Sequence, residues 1–388
     1  MTEIKRTKKQ HYIAQGIIKA FFDSNSIYEK NLQNGRVYKT SINNTMCMND
    51  FYEFFLLEDN FLENLFATSV DEDSSKLIKN LKKILDKDNC LAAKNEIFKY
   101  IRLFLINYYK SITSLIHMSK ETTKNDQSSI VRMMNTIFDM KYIERISEVL
   151  LTGYDFSIIK SFNKNFVLTD QYIATCSLKF MGCFINISNR EIGLKNTLVL
   201  VPISSEYYAM FVNGQLPDNF IIESEHINKL TEIQTEIINN VIYNNSYEKC
   251  IALNEKEINK LKKKNSTLCD SEVMTNFKSL DLVMFKVKQE VFFTDDEYEM
   301  YKYYESLEWA DKKFGDCGAN NLCPCGSNKK YKKCCRNKVK RCNRILNMIH
   351  YQQDDLLINK KNGIEKSVQL SNYENKELQK KFKFLKNS

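Results

Sequence analysis

The chain has 388 residues, of which 43% are hydrophobic and 27% are charged, and its net charge at pH 7 is +9. This composition is typical of a folded globular protein, and the length allows two domains or one large domain with an appendage. The chain has 10 glycines and 3 prolines, which excludes collagen-like, Pro-rich and long flexible segments.

The N-terminal residues and the hydrophobic pattern favour a cytoplasmic protein. Residues 1–10 are polar and basic, so no signal peptide is predicted. The most hydrophobic helix-like run, residues 97–118, contains Lys99, Arg102 and Lys110, which favours a buried helix over a membrane span. The 12 cysteines, without an export signal, are expected to be reduced thiols. We expect a cytoplasmic location and no membrane insertion.

In chain order, β-rich segments flank a helical middle. Residues 26–32 and 36–42 are separated by Asn34-Gly35, the strongest short-range signal for a β-hairpin. Apolar residues at helical spacing predict helices at residues 58–87 (with a break near 71–75), 92–118 and 126–151. Short β-branched or aromatic runs predict strands at residues 156–161, 166–169, 182–187, 198–203 and 207–212. A further helix is predicted at residues 224–242.

These segments predict an α+β fold in which mixed strands enclose a helical middle, with a small cysteine-rich knuckle at the C-terminal side. The predicted order is an α+β domain (residues 1–250), a helical connector (251–316), a cysteine-rich module (317–342) and a charged tail (343–388). Within the connector, helices are predicted at residues 280–293 and 296–314. The aromatic residues between Tyr298 and Trp309 are expected to pack the small module, and base stacking is the alternative.

The motif with the clearest chemistry is residues 322–336, LCPCGSNKKYKKCCR. A Cys-x-Cys turn and an adjacent cysteine pair supply the four thiolates that a tetrahedral zinc site needs: Cys323, Cys325, Cys334 and Cys335. Gly326 permits the positive φ that a tight metal turn often requires. Four thiolates leave no open coordination position, so we predict a structural Zn²⁺. Two disulfides are the alternative, and Cys317 and Cys342 are rival ligands.

This stretch resembles the SEC-C motif, the small zinc-binding element named for the C-terminus of the SecA translocation ATPase. The family pattern is Cys-x-Cys-Gly-Ser-Gly-Lys-Lys-Tyr-Lys-x-Cys followed by Cys or His. The chain departs at Asn328, where the family has Gly, and Asn tolerates the left-handed conformation. The resemblance implies the same four cysteine ligands. It implies no translocase, because the Gly-rich phosphate loop of an ATPase is absent from the sequence.

Residues 329–341 are strongly basic. They contain eight basic residues and no acidic one, and four thiolates on Zn²⁺ offset only about two of these charges. We predict that this surface binds a partner, either nucleic acid or an acidic protein face. A solvated basic surface is the alternative. The residues predicted to contact the partner are Lys329, Lys330, Lys332, Lys333 and Arg336.

The N-terminal region resembles a second family. Residues 10–15, Gln-His-Tyr-Ile-Ala-Gln, are similar to the opening His-Tyr-Val-Pro-Gln motif of the bacterial proteins catalogued as domain of unknown function 4238. The family's Pro is Ala14 here, and its Thr-Ser-Asp appears as Thr169-Asp170. The resemblance implies a fold neighbourhood and no particular activity. Further pieces agree in order at residues 37–42, 50–52, 63, 168–170 and 201–204.

Two functions are consistent with these patterns. The first is a zinc-binding cytosolic protein whose basic knuckle mediates partner binding. The alternative is an enzyme, such as a nuclease or toxin-like effector, with the N-terminal domain as catalyst and the knuckle as targeting element. No nucleophile elbow, Walker A loop, His-Glu-x-x-His or dinucleotide fingerprint is present in the sequence. For an enzyme, His11 with Glu63 and Asp170 is the candidate acid–base set, and a structural, hydrogen-bonded His11 is the alternative.

Overall fold

The computed structural model describes residues 7–340 except 54–56, 119–132, 135, 179–184, 187–191, 194, 263–267, 277–281, 290 and 296–312. The helices are α1 (Gln15–Phe22), α2 (Phe61–Phe66), α3 (Glu72–Leu85), α4 (Cys90–Met118), α5 (Met140–Gly153), α6 (Glu232–Asn244) and α7 (Glu255–Lys260). The strands are β1 (Lys9–His11), β2 (Ser26–Asn31), β3 (Val37–Ser41), β4 (Cys47–Asn49), β5 (Asp155–Lys160), β6 (Leu168–Thr169), β7 (Ala174–Ser177), β8 (Ile185–Asn186), β9 (Thr197–Pro202), β10 (Tyr207–Asn213), β11 (Ile227–Lys229), β12 (Lys249–Ala252), β13 (Leu268–Asn276) and β14 (Leu282–Gln289). The predicted α+β class is confirmed.

The core is built on a five-stranded sheet in the order β11-β5-β10-β9-β7. The pair β11 and β5 is parallel and the other pairs are antiparallel. All six residues of β9, Thr197–Pro202, are buried. Such a continuous apolar run is the pattern of a strand covered on both faces, and helices supply the cover.

Different helices cover the two faces of this sheet. On one face, Phe98 of α4 packs against Phe156, with ring centroids 5.3 Å apart, and against Phe211 at 6.2 Å. On the other face, Phe21 of α1 packs against Tyr208 at 5.8 Å. Successive strand side chains point to opposite faces, so β10 contributes Tyr208 to one layer and Phe211 to the other.

A four-stranded antiparallel sheet, in the order β3-β2-β12-β6, lies beside this core. Its β2–β3 hairpin confirms the Asn34-Gly35 prediction, with Gly35 at φ 68°. The central partner, β12, pairs with both β2 and β6. The domain boundary predicted at residue 250 therefore falls inside a strand of this sheet.

Polar caps change the bounds of two predicted helices. The helix predicted at residues 126–151 is interrupted at Asp139: residues 133–134 and 136–138 are helical, and α5 then begins at Met140, where the Asp139 carboxylate accepts from the Tyr142 N–H at 3.0 Å. The helix predicted at 224–242 begins at Glu232, after β11. There Thr231 and Gln234 form a reciprocal capping box.

The predicted helical connector is helical at α7 but wrong at residues 282–289. A helix was predicted at residues 280–293, but residues 282–289 form β14, which pairs with β13 and β8. Phe285-Lys286-Val287-Lys288 alternates with the period of a strand, and the surrounding apolar residues also fit a helix. α7 lies at the start of this region, within the segment 254–264 where a helix is also expected from its charged sequence. The predicted aromatic helix at 296–314 falls almost entirely outside the described residues, as does the charged tail at 343–388.

Candidate functional site

A tight loop presents the first two cysteines of the knuckle. Leu322 and Lys330 form an antiparallel bridge, and the Cys323 N–H donates to the Lys329 carbonyl at 2.8 Å. The loop between them reverses direction through two left-handed residues, Gly326 at φ 81° and Asn328 at φ 54°. The conformations predicted for both positions are therefore observed, and Asn328 adopts the one that favours the family's Gly.

A 3-10 turn at Tyr331–Lys333 presents the second pair of cysteines. The Cys334 N–H donates to the Tyr331 carbonyl at 3.0 Å. The Tyr331 ring is buried and stacks on Phe314, with centroids 5.8 Å apart and planes 12° apart. This stack is a hydrophobic support for a module too small to bury a core of its own.

The four cysteines converge on one point. Their sulfur atoms all lie within 4.8 Å of one another. Zn–S bonds of about 2.3 Å in a tetrahedron place sulfurs about 3.8 Å apart. The Cys325 and Cys334 sulfurs are 3.5 Å apart and the Cys334 and Cys335 sulfurs are 3.7 Å apart. The residues therefore fit a tetrahedral thiolate-bound metal, and all four are free thiols, not disulfides.

The rival ligands do not join this cluster in the described part of the chain. The Cys317 thiol instead faces the carbonyls of Gly318 and Leu322, at 3.7 and 3.8 Å. Cys342 lies outside the described residues. Hydrogen bonds from Ser327 lower the pKa of Cys325 to about 6, and burial with neighbouring thiols raises the pKa of Cys335 to about 12. A bound cation would hold both as thiolates.

The outer surface of the knuckle is basic. Arg336 is half-buried. Within the described residues, neither Arg336 nor any of the exposed lysines between residues 329 and 340 forms an ion pair. The exposed lysines are Lys329, Lys330, Lys332, Lys333, Lys338 and Lys340.

Comparison with known proteins agrees with both motifs. The profile of the family described as Protein of unknown function (DUF4238) matches residues 9–257, and that of the SEC-C motif matches residues 320–337. The first match covers more than half of the chain, so the chain belongs to the DUF4238 family. The four-cysteine cluster together with the SEC-C motif indicates a metal site, most simply zinc. No curated protein and no solved structure matches the chain.

His11, in the family-like motif, is a buried residue of the two-stranded sheet β1–β4. His11 is the last residue of β1 and pairs with Cys47 of β4. The side-chain nitrogen of Gln15 lies 3.3 Å from His11 Nε2. Burial, together with the charges of Lys9 and Lys110, lowers the pKa of His11 to about 4. At neutral pH the imidazole is therefore uncharged, able to donate or accept a hydrogen bond.

The Glu63 carboxylate accepts the backbone N–H of His11, and Glu63 is not among the groups that shift the pKa of the His11 imidazole. Burial and the carboxylates of Asp71 and Glu53 raise the pKa of Glu63 to about 7, against the opposing effects of Lys110 and the His11 backbone N–H. A carboxyl group in this range both accepts and donates protons at neutral pH.

Asp170, the third member of the predicted acid–base set, has a structural role. Its buried carboxylate accepts three backbone N–H groups in succession, from Tyr247 at 3.0 Å, Glu248 at 2.7 Å and Lys249 at 2.8 Å. These bonds fix the turn that leads into β12. Neither Asp170 nor Glu63 is among the charges that shift the pKa of His11.

Sequence reasoning missed the groups that surround Glu63. The sequence indicates Lys110 only as a charge that argues against a membrane span, yet Lys110 is completely buried and its Nζ lies 2.6 Å from the Asp71 carboxylate. Asp71 closes a π-helical turn, Ala67–Asp71, between α2 and α3. The predicted helix break near residues 71–75 was the available signal, since π turns concentrate at functional sites.

No helix among the described residues combines the length and the apolar character that a membrane crossing requires.

Proposed function

We propose that this chain is a zinc-binding protein of the cytoplasm whose C-terminal knuckle binds a polyanionic partner, with nucleic acid preferred over an acidic protein. The exposed, unpaired lysines at positions 329, 330, 332, 333, 338 and 340 carry this proposal. Polyphosphate backbones bind such surfaces by releasing condensed counterions. The free thiols of the described cysteines agree with a reducing compartment.

The way in which the knuckle presents its side chains favours phosphate contact over base recognition. Its one described tyrosine, Tyr331, is buried against Phe314. Within residues 313–340 the exposed large hydrophobic residue is Leu322, which has no π face for stacking. Binding should therefore be salt-dependent and tolerant of sequence.

The metal would act on this surface by holding its shape. The bridge and the 3-10 turn that carry the lysines are joined through the cysteine cluster, so a bound Zn²⁺ would fix Lys329 and Lys330 relative to Lys332 and Lys333. In modules of this size metal affinity is folding free energy. Loss of one thiolate is expected to disperse the basic surface.

The test is binding of a fluorescent single-stranded oligonucleotide over a range of salt concentrations. Each lost phosphate contact flattens the slope of log K against log salt by about 0.7, so Lys332→Glu/Lys333→Glu should flatten it by about 1.4. The matched control is Lys79→Glu/Lys83→Glu, the same charge change on exposed positions of α3, which should leave the slope unchanged.

Zinc content decides the metal part of the proposal. Intact protein should hold one zinc per chain, and Cys334→Ser should lose both zinc and oligonucleotide binding. A protein without zinc contradicts the metal site. Zinc with no salt-dependent binding contradicts the nucleic-acid partner, and capture of an acidic protein through the same lysines would then replace it.

A second candidate function is an enzymatic activity of the main domain, with the knuckle as its targeting element. The observation that favours it is Glu63, a half-buried carboxyl group with a raised pKa that accepts the backbone N–H of His11. His11→Ala separates the two functions. If an activity in cells disappears while the fold and knuckle binding persist, the main domain is the catalyst.

A further inference from the structure

The five-stranded sheet carries a cavity of about 430 Å³ where β10 ends and β5 begins, which we call the Asp155 cavity. Asp155 of β5 lies opposite Val212 of β10, and both line its floor. The loop after β10, within residues 214–224, supplies its wall. An apolar cavity of about 150 Å³ holds one benzene, and small-molecule sites span about 300–1,000 Å³. The Asp155 cavity therefore has room for a ligand of about two rings.

The loop that forms the wall is anchored at both ends and in the middle. Gly214 has φ 113°, which favours glycine, and a Cβ there would lie 2.8 Å from neighbouring backbone. In the middle, the buried Phe220 packs edge-on against Phe293, with ring centroids 5.2 Å apart. At the far end, the Glu225 N–H donates to the Phe156 carbonyl at 2.7 Å. A wall that is already ordered lowers the entropy cost of binding a ligand.

Most of the lining is apolar. Ile221 is 80% exposed, so it lies at the open side of the cavity, where an apolar ligand would cover it and remove it from water. Pro217 limits the backbone of the wall at the same level. The apolar side chains of the lining include Val212, Leu216, Pro217, Phe220, Ile221 and Ile222.

The charged groups of the lining are both acidic. Asp155 and Asp218 are exposed at the open side, and no lysine, arginine or histidine lines the cavity. Within the described part of the chain, neither carboxylate forms a hydrogen bond or an ion pair. Glu225, which follows the lining residue Ser224, is already paired with Lys94. A cation at the open side would therefore gain Coulomb energy, and an anion would be repelled.

A third polar side chain lies in the floor. Ser157 lines the cavity and is 3% exposed, and among the described residues its hydroxyl has no hydrogen-bond partner. Alternate residues of a strand share one face, so Ser157 projects to the same side of β5 as Asp155. Buried hydroxyls are almost always paired, so the loop crosses the floor here without completing its polar contacts. Because this hydroxyl is sealed from water, the charged contacts open to a ligand are the two carboxylates.

We propose that the Asp155 cavity binds a small organic amine. Its apolar body, of about two rings, fills the cavity against the loop wall, and its protonated amino group meets Asp155 and Asp218 at the open side. The site belongs to the main domain and goes beyond the partner binding proposed for the knuckle, so each proposal can fail without the other.

The experiment measures ligand affinity by calorimetry on the full chain with its zinc. The amine probes are tryptamine and phenethylamine. Two further probes keep the indole ring of tryptamine and change only the charge: tryptophol is uncharged and indole-3-acetate is an anion. At least one amine should bind with submillimolar affinity, tryptophol about fivefold more weakly than tryptamine, and indole-3-acetate more weakly still. Failure of both amines, or equal affinity for tryptamine and tryptophol, overturns the proposal.

Two variants test whether the carboxylates hold the amino group. Asp155→Asn and Asp218→Asn should each weaken tryptamine binding about fivefold, the upper range for an exposed ion pair, and leave tryptophol binding unchanged. The matched control is Asp73→Asn, the same change at an exposed position of α3 outside the lining. Equal effects of the control and the cavity variants overturn the assignment.

A third variant tests whether the apolar body lies against the loop wall. Ile221→Ala should weaken tryptamine and tryptophol alike, about fivefold, because the lost apolar contact does not depend on charge. Since Ile221 is 80% exposed, its truncation should leave the fold intact. The matched control is Ile233→Ala on α6, where the side chain is 72% exposed and outside the lining. An unchanged affinity in Ile221→Ala places the ring elsewhere and overturns the site.

Discussion

The ion pair between Lys110 and Asp71 allows a prediction that depends on which partner is sealed from water. The Lys110 side chain is 0% exposed and the Asp71 side chain is 18% exposed, with 2.6 Å between the charged atoms. Removing one partner of a buried pair costs about 3–5 kcal/mol, because the other charge is left uncompensated. The two single substitutions should therefore differ.

Asp71→Asn removes the carboxylate beside an ammonium that water does not reach. We expect the full cost, about 3–5 kcal/mol of unfolding free energy. Lys110→Met leaves the charge on Asp71, which retains some contact with water, and Met keeps the volume of the lysine stem. Its expected cost is smaller, about 1–2 kcal/mol. The double variant should recover about 2 kcal/mol relative to the sum of the single ones.

The assay is urea unfolding of the zinc-loaded chain, monitored by far-ultraviolet circular dichroism. The comparison is valid where the slopes with urea agree among the variants. Lys110→Met costing as much as Asp71→Asn would refute the reasoning, because it would mean that exposure does not control the penalty. Strict additivity in the double variant would show that the two groups do not interact.

Three further predictions concern the titrating groups and the metal. Folding raises the pKa of Glu63 from 4.5 to about 7, so between these values the folded state holds a proton that the unfolded chain has lost. The free energy of unfolding therefore falls as pH rises through this window. Glu63→Gln should remove about 1–2 kcal/mol of that fall, after allowance for partial exposure. Folding lowers the pKa of His11 from 6.5 to about 4, so the free energy of unfolding falls as pH drops through that window. His11→Gln should reduce this loss of stability at acidic pH by about 2 kcal/mol. Both are measured by urea unfolding across pH, and an unchanged profile in either variant contradicts the corresponding shift. Zinc chelation should abolish hydrogen-exchange protection of the described knuckle amides, such as that of Cys323, and leave the buried strands of the main domain protected. Loss of protection in both regions would instead show that the knuckle and the main domain unfold as one unit.

The sequence was sufficient where the determining contacts are local. The Asn34-Gly35 hairpin and the four-cysteine cluster depend on residues a short distance apart in the chain, so turn chemistry and ligand spacing specify them. The left-handed conformation of Asn328 was likewise readable from its place in the motif. Caps were a weaker signal: Asp139 interrupts one predicted helix, and Thr231 begins another later than its apolar pattern indicates.

Only the tertiary structure decided which ionisable groups surround Glu63. Lys110 and Asp71 are 39 positions apart, and neither the helical pattern around Lys110 nor the polar run around Asp71 indicates that the two meet. The sequence also proposed Asp170 as a partner of His11, whereas the fold directs its carboxylate to three backbone N–H groups. The physical reason is that local spacing determines which face of an element a side chain occupies, while the packing of whole elements determines which faces meet.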